Sequence, residues 1–173
     1  VTVYPTLIAS QVQYIVAHSD SKLIFAQDAS QMDKVLQIKA DCPELKSVIY
    51  FDESLSYDDP DVMSFNELME KGKTFSSSDG AYEYEAQALS VQPDDILTLI
   101  YTSGTTGNPK GVMLKHSNLV SNILSANARL GISDEDKFLS FLPLSHSFER
   151  LGDYVGTHVG ANITYAESME QVI

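Results

Sequence analysis

Apolar residues along the chain fall into short runs and helically spaced sets, and the two patterns alternate almost from end to end. Ser10, with Gln13 three residues on, has the form of a capping box, so "QVQYIVAH" after it predicts a helix. "KLIFAQ" predicts a short strand. Ser30 and Asp33 open a second helical stretch with Met32, Val35 and Leu36 on one face, and "SVIYF" predicts another strand. "SFNELMEKG" repeats the cap logic with Ser64 and Glu67 and is expected to end at Gly72. From Lys73 to Pro93 the pattern weakens. "TFSSSDG" reads as loop, and "AYEYEAQAL" fits either a helix or irregular chain, so an internal boundary near 73–93 is a candidate.

Beyond that stretch the alternation resumes. "DILTLIY" is a near-continuous apolar run, as expected for a strand covered on both faces. "VMLKH" is a short strand. "NLVSNILSANARL" has Leu119, Ile123, Ala126 and Leu130 at helical spacing and stops at Gly131. "KFLSFLP", "SHSFERLGDYVGTHV" and "ANITYA" then read as strand, helix and strand. The alternation predicts an α/β fold with mainly parallel strands separated by helices.

Composition narrows the picture. A chain of 173 residues with 43% hydrophobic content can bury an ordinary core. No apolar run approaches the ~20 residues that span a bilayer, so no transmembrane segment is expected. The start at "VTVYPTL" and the stop at "ESMEQVI", within what reads as a helix start, suggest a piece of a longer protein. The single cysteine, Cys42, leaves no internal disulfide and suits a reducing, cytoplasmic setting, where it reads as a small core residue. A formal net charge of −13 argues against a nucleic-acid partner and against an anionic membrane surface. Asp58, Asp59 and Asp61 read as a solvated loop, with a calcium site as the lesser alternative. In so acidic a chain, an anionic ligand has to be held by backbone dipoles, a metal or one placed cation.

The stretch "YTSGTTGNPKGV", residues 101–112, offers such a place. It fails the Walker pattern: counted from Gly104, Pro109 stands where the second glycine belongs, and Gly111 follows Lys110 where a hydroxyl belongs. What it does offer is a strand end feeding Thr102, Ser103, Thr105 and Thr106, interleaved with Gly104 and Gly107. Hydroxyls donate to phosphate oxygens, and the glycines allow backbone N–H groups to form an anion nest. Pro109 stiffens the exit and Lys110 adds a mobile positive charge. The plainer alternative is a flexible Ser/Thr/Gly surface turn.

The whole string resembles the phosphate-binding signature of the adenylate-forming (AMP-forming) acyl-CoA synthetase superfamily. "VYPTLIASQVQYIVAHSDSKLIF" is similar to the segment preceding that signature, and "FLPLSHSFER" to the next block. With "ANITYAES", the chain looks most like a bacterial-type long-chain fatty acid–CoA ligase. The resemblance implies that residues 1–173 are an internal fragment of the large N-terminal adenylation domain. It also implies the chemistry. A fatty acid carboxylate attacks the α-phosphorus of ATP, releasing pyrophosphate, and the thiol of coenzyme A then displaces AMP.

Carried over by position, Thr102, Ser103, Gly104, Thr105, Thr106, Gly107 and Lys110 would bind the ATP phosphates. Thr105 would contribute its hydroxyl to Mg²⁺, and Thr105 with Lys110 would serve the reaction electrostatically. His146 falls where the family borders its acyl and adenylate pocket. Pro143 and Ser145 place it at a helix N-terminus, where the dipole disfavours imidazolium; the plainer alternative is a packed or capping histidine. His146 and Glu149 make a poor metal pair. Glu149 and Arg150 read as local helix-surface or interdomain pairs, with a functional role left open by the family-like "HSFER" string, and His116 and His158 read as structural.

No string matches the family's Y-G-x-T-E block, its ribose-binding aspartate, or the small C-terminal domain with the adenylation lysine and most of the coenzyme A site. The fragment alone is therefore expected to be inactive. The acyl substrate implies peripheral contact with a membrane. Three alternatives stay open: adenylation of another carboxylate (medium-chain, aryl or amino acid), a non-catalytic nucleotide-binding α/β domain, and a purely structural domain.

Overall fold

Polar side chains, as much as hydrophobic spacing, set where the helices begin. The computed structural model describes residues 1–77, 80–102, 108–167 and 172, and the chain divides into two compact units.

In the unit formed by Pro5–Val91, helix α1 (Ala9–His18) starts earlier than the Ser10 box suggests: Ile8 is the N-cap, and its N–H donates to Gln11 Oε1 at 3.2 Å. Strand β1 (Leu23–Ala26) leads to α2 (Ala29–Ile38). Here Asp28, not Ser30, is the cap, accepting from Gln31 N–H at 3.0 Å and satisfying one of the orphan donors of the first turn. Met32, Val35 and Ile38 are buried, so Ile38 rather than Leu36 completes the inward face. Strand β2 (Ser47–Tyr50) lies between β1 and a strand the apolar pattern did not announce, β3 (Val62–Ser64). All three are parallel, with Leu23 opposite Ser47 and Val48 opposite Val62.

The Ser64–Glu67 capping box forms as read, and starts α3 (Phe65–Ser76). That helix passes through Gly72, which has open space around it, instead of ending there. "AYEYEAQAL" is helical, within α4 (Gly80–Ser90). Val48, Ile49 and Met32 form the centre of the core. Cys42 joins that core, where burial pushes its thiol up from the ordinary value, with the charge of Asp41 adding to the effect.

In the other unit, β4 (Ile96–Thr102) and β5 (Lys110–Lys115) form an antiparallel hairpin. The expectation of a strand covered on both faces does not hold: along β4 only Thr98 is buried, and Ile96 is exposed. Helix α5 (His116–Leu130) follows, then β6 (Lys137–Ser140), α6 (Ser147–Val159) and β7 (Asn162–Tyr165). Strands β6 and β7 pair in parallel, with α6 as the crossover that a parallel pair requires. Gly131 and Gly160 end α5 and α6 at φ 66° and 76°, the left-handed conformation that glycine adopts without strain. At Gly156 a Cβ would lie 3.0 Å from Ile163 Cδ1, so its absence is what lets α6 sit close to β7. The two parallel sheets and their helices agree with the α/β class and with mainly parallel pairing.

Candidate functional site

The hairpin puts the two ends of the glycine-rich loop side by side. Thr102, the last residue of β4, is the ladder partner of Lys110, the first of β5. Opposed residues in an antiparallel pair have Cα atoms about 4.5–5.5 Å apart, so a hydroxyl and an ammonium group flank the loop mouth, and both residues are exposed. One pair further in, Tyr101 faces Gly111. A Cβ on Gly111 would stand 3.1 Å from Tyr101 Cζ, so the Tyr101 ring occupies the space a side chain would need. The sequence showed Gly111 only as a missing Walker hydroxyl; its physical reason is the ring across the ladder. Ser103, Gly104, Thr105, Thr106 and Gly107, and with them the Mg²⁺ assignment to Thr105, lie outside the described residues.

His146 is the N-cap of α6. Its Nδ1 accepts from Phe148 N–H at 3.3 Å, and its backbone N–H donates to Pro143 O at 2.8 Å. The capping geometry is thus realised, while the exposed residue is not a packed one. An Nδ1 that accepts leaves the ring proton on Nε2, a tautomer fixed by the hydrogen bond. The neighbouring Ser145 is buried, and its hydroxyl has no partner among the described residues.

Glu149 and Arg150 correct the sequence reading most clearly. They are not a helix-surface pair. Glu149 is buried, and its Oε1 accepts from Phe141 N–H at 3.1 Å, just past the end of β6. Arg150 Nε donates to Leu144 O at 3.2 Å, Nη1 to Thr98 Oγ1 at 2.6 Å and Nη2 to Thr2 Oγ1 at 2.8 Å. The two threonines lie 52 and 148 residues away, so no local spacing could have disclosed them. The one available hint was a charged pair in the first turn of a helix that closely follows an apolar strand.

Two further observations bear on ligands. An apolar cavity of about 300 Å³ lies among α5, β6 and α6, with Leu130, Phe138, Phe148 and Val155 in its wall. Among the described residues no group of three or more His, Cys, Asp or Glu is placed to hold a metal ion. The aspartates of the acidic loop have a cation already: Lys39 Nζ is 2.8 Å from Asp59 and 3.0 Å from Asp61. His116 opens α5, its N–H donating to Asp95 O at 3.1 Å, and His158 lies in the last turn of α6.

Comparison with known proteins places this geometry. A family model described as AMP-binding enzyme matches residues 1–172. The chain is 36% identical over 165 residues to fatty acyl-CoA synthetase A of Dictyostelium discoideum, covering 92% of this chain and 24% of that protein. It is 35% identical over 171 residues to the long-chain-fatty-acid–CoA ligase heimdall of Drosophila melanogaster, covering 95% and 25%. The inhibitor-bound N-terminal domain of FACL13 from Mycobacterium tuberculosis has a similar fold, with a TM-score of 0.73 and 22% identity over 96% of this chain and 37% of that one. The chain thus spans about a quarter of the length of these curated relatives.

Proposed function

The chain belongs to the AMP-binding enzyme family, and on that premise we propose that it is part of an ATP-dependent long-chain fatty acid–CoA ligase. The observation that carries the proposal is the hairpin, which sets Thr102 opposite Lys110 at the mouth of the signature loop. A hydroxyl donor and a cation with no carboxylate in the facing ladder position fit a polyphosphate. The family match and the two ligase relatives support the reaction class.

In the proposed reaction a carboxylate oxygen of the fatty acid bonds to the α-phosphorus of ATP. The bond to the bridging oxygen breaks, and pyrophosphate leaves. The sulfur of coenzyme A then attacks the acyl carbon, and AMP departs with the electron pair. Thr102, Ser103, Gly104, Thr105, Thr106, Gly107 and Lys110 bind the phosphates in this scheme. Negative charge grows on the leaving pyrophosphate, so a cation and hydroxyls aimed at it lower the barrier more than they strengthen binding of ATP. Mg²⁺ would supply further neutralisation, and Thr105 would contribute its hydroxyl to holding it. His146 borders the acyl-adenylate, its Nε2–H able to donate to a carboxylate or carbonyl oxygen. The apolar cavity beside α6 supports an alkyl substrate. The single cysteine supports a cytoplasmic setting for the reaction, with peripheral membrane contact through the acyl substrate. Separately, among the described residues no helix is long and apolar enough to cross a membrane.

The test uses the full-length protein with a C16-type fatty acid, ATP, Mg²⁺ and coenzyme A, and a panel of medium-chain, aryl and amino acids beside it. Pyrophosphate and AMP should appear with the long-chain acid. Lys110→Ala should slow pyrophosphate release about 100–1,000-fold, the usual scale for one donor aimed at a developing anion. No AMP or pyrophosphate with any carboxylate would sink the proposal, while preference for another acid would move the substrate assignment only. The 173-residue chain alone is expected to form no acyl-CoA.

A further inference from the structure

Residues 141–146 connect β6 to α6 without regular structure, and the first turn of α6 holds them at several points. Glu149 takes the N–H of Phe141 at the start of the segment. Arg150 takes the carbonyl of Leu144 with Nε, and its backbone N–H donates to His146 O at 3.1 Å. Side chains of consecutive residues on one helix therefore grip the segment at its beginning and its middle, and the ordinary first-turn backbone bond closes its end. The guanidinium does not stop there. Its remaining arms reach the hydroxyl of Thr98, a buried residue on β4, and that of Thr2.

The chemistry of these bonds is unusual for an arginine. Among the described residues its side-chain partners are neutral oxygens, and none of the ion pairs there includes it. What a guanidinium offers such partners is a rigid plane of N–H donors in fixed directions. A lysine would satisfy one or two of these oxygens but would fix no angle between them. The plane here joins the loop at Leu144 to β4 at Thr98, and β4 ends four residues on at Thr102.

We propose that Arg150 is a positioning residue that ties the turn ending at His146 to the strand carrying the phosphate loop. It fixes the backbone of residues 143–146 relative to β4, and so fixes where the His146 ring stands with respect to Thr102 and Lys110. Glu149 assists by holding Phe141 N–H, which anchors the other end of the same segment. The functional consequence rests on the ligase reading above, while the mechanical one does not.

The test therefore has one arm that needs no turnover. In the full-length protein labelled with ¹⁵N-histidine, the ring nitrogen shifts of His146 report its tautomer. Wild type should show the Nε2–H form, with Nδ1 in the hydrogen-bond-acceptor range. Arg150→Ala should convert His146 to a mixture of tautomers, and Arg150→Lys should restore the wild-type spectrum only in part. His158, near the far end of α6, should not change. Thr98→Ala removes one hydroxyl and should shift His146 in the same direction to a smaller extent; it carries the test if Arg150→Ala does not fold. Unchanged His146 shifts in a folded Arg150→Ala, or in Thr98→Ala where Arg150→Ala fails to fold, overturn the proposal.

The second arm is a double-mutant cycle on pyrophosphate release. Arg150→Ala should lower kcat about 10-fold in the His146 background and about 2-fold or less in His146→Ala, because residues acting as one unit are not additive. Equal losses in both backgrounds would mean that Arg150 only stabilises the fold. A protein whose His146 spectrum responds as expected but which makes no pyrophosphate would refute the ligase reading and leave the positioning role standing.

Discussion

The two parallel sheets of this chain use similar apolar strands and reach different ends. Around β2, Val48 and Ile49 are fully buried, with Met32 of α2 beside them in the core, and the cluster is almost wholly hydrophobic. Around β6 and α6 the buried set is smaller and mixed: Val155 and Ile123 share it with Ser140, Ser145, Thr98 and Glu149. Leu130, Leu139 and Phe148 stay exposed there. The first sheet is held by apolar burial, which is strong and non-directional. The second relies more on directed polar contacts, weaker per group but able to fix the position of a turn. That arrangement fits the proposed role of His146, in which the position of the turn matters more than maximal stability.

The sharpest way to test this contrast sets a cut in the buried first sheet against one on the antiparallel hairpin of the other unit. Ile49→Ala removes a fully buried side chain and should cost about 2–5 kcal/mol, the usual range for such truncations. Met113→Ala, at a β5 residue that is 64% exposed, should change stability by less than about 0.5 kcal/mol. Denaturant unfolding followed by hydrogen exchange of each unit separates the two effects. Should Met113→Ala prove as costly as Ile49→Ala, the outer face of β5 is covered in the intact protein, and the contrast is a property of this chain only.

Helix starts give a second, smaller comparison. On α3 the capping box is complete: Ser64 Oγ accepts from Glu67 N–H at 3.1 Å, and Glu67 Oε2 from Ser64 N–H at 2.7 Å. On α5 only half of that pattern uses an acceptor side chain, Asn118 Oδ1 taking Lys115 N–H at 2.9 Å. Ser64→Ala should therefore cost about 1 kcal/mol, and Asn118→Ala roughly half as much. The first-turn amides of α3 should exchange faster in the first variant. Equal costs at the two helices would show that the reciprocal bond adds nothing.

How far the sequence discloses the molecule follows the same division. The Ser64 box, the Gly131 stop and the helix opening at His146 are legible because a cap is local chemistry within a few residues. Strand β3 is not: Val62–Ser64 is too short for a period, and its last residue reads as the cap of the next helix. The Asp28 cap is masked by Ser30, two positions on, which has the same capping chemistry. Glu149 and Arg150 look solvated in one dimension, since their partners at Phe141, Thr98 and Thr2 come close only after folding. In the signature loop, hydroxyls, glycines and lysine are the composition on which the proposed anion site rests, but Gly111 has its reason in Tyr101 across the ladder.

The smallest effect expected lies in the apolar-held unit, where one polar cluster can be titrated. Lys39 bridges Asp59 and Asp61 at 2.8 and 3.0 Å. The hydrogen bond from Lys39, with a second from Asp61 N–H, holds the Asp59 carboxyl below the ordinary value of 3.8. Partial burial pulls the Lys39 ammonium down, but its bonds to Asp59 and Asp61 outweigh that and raise it above 10.5. A lowered carboxyl contributes stability in full above pH 3.8, which is lost as pH falls through the folded value; a raised ammonium contributes below pH 10.5 and loses it as pH rises through its own. Lys39→Met should therefore lower stability slightly between those limits and flatten its decline at both ends. Exposed pairs of this kind contribute little, so the difference should be near the limit of detection by thermal melting and should shrink further in high salt. An acid limb in Lys39→Met as steep as in wild type would mean that Asp59 gains its stabilisation from the Asp61 backbone bond rather than from the lysine.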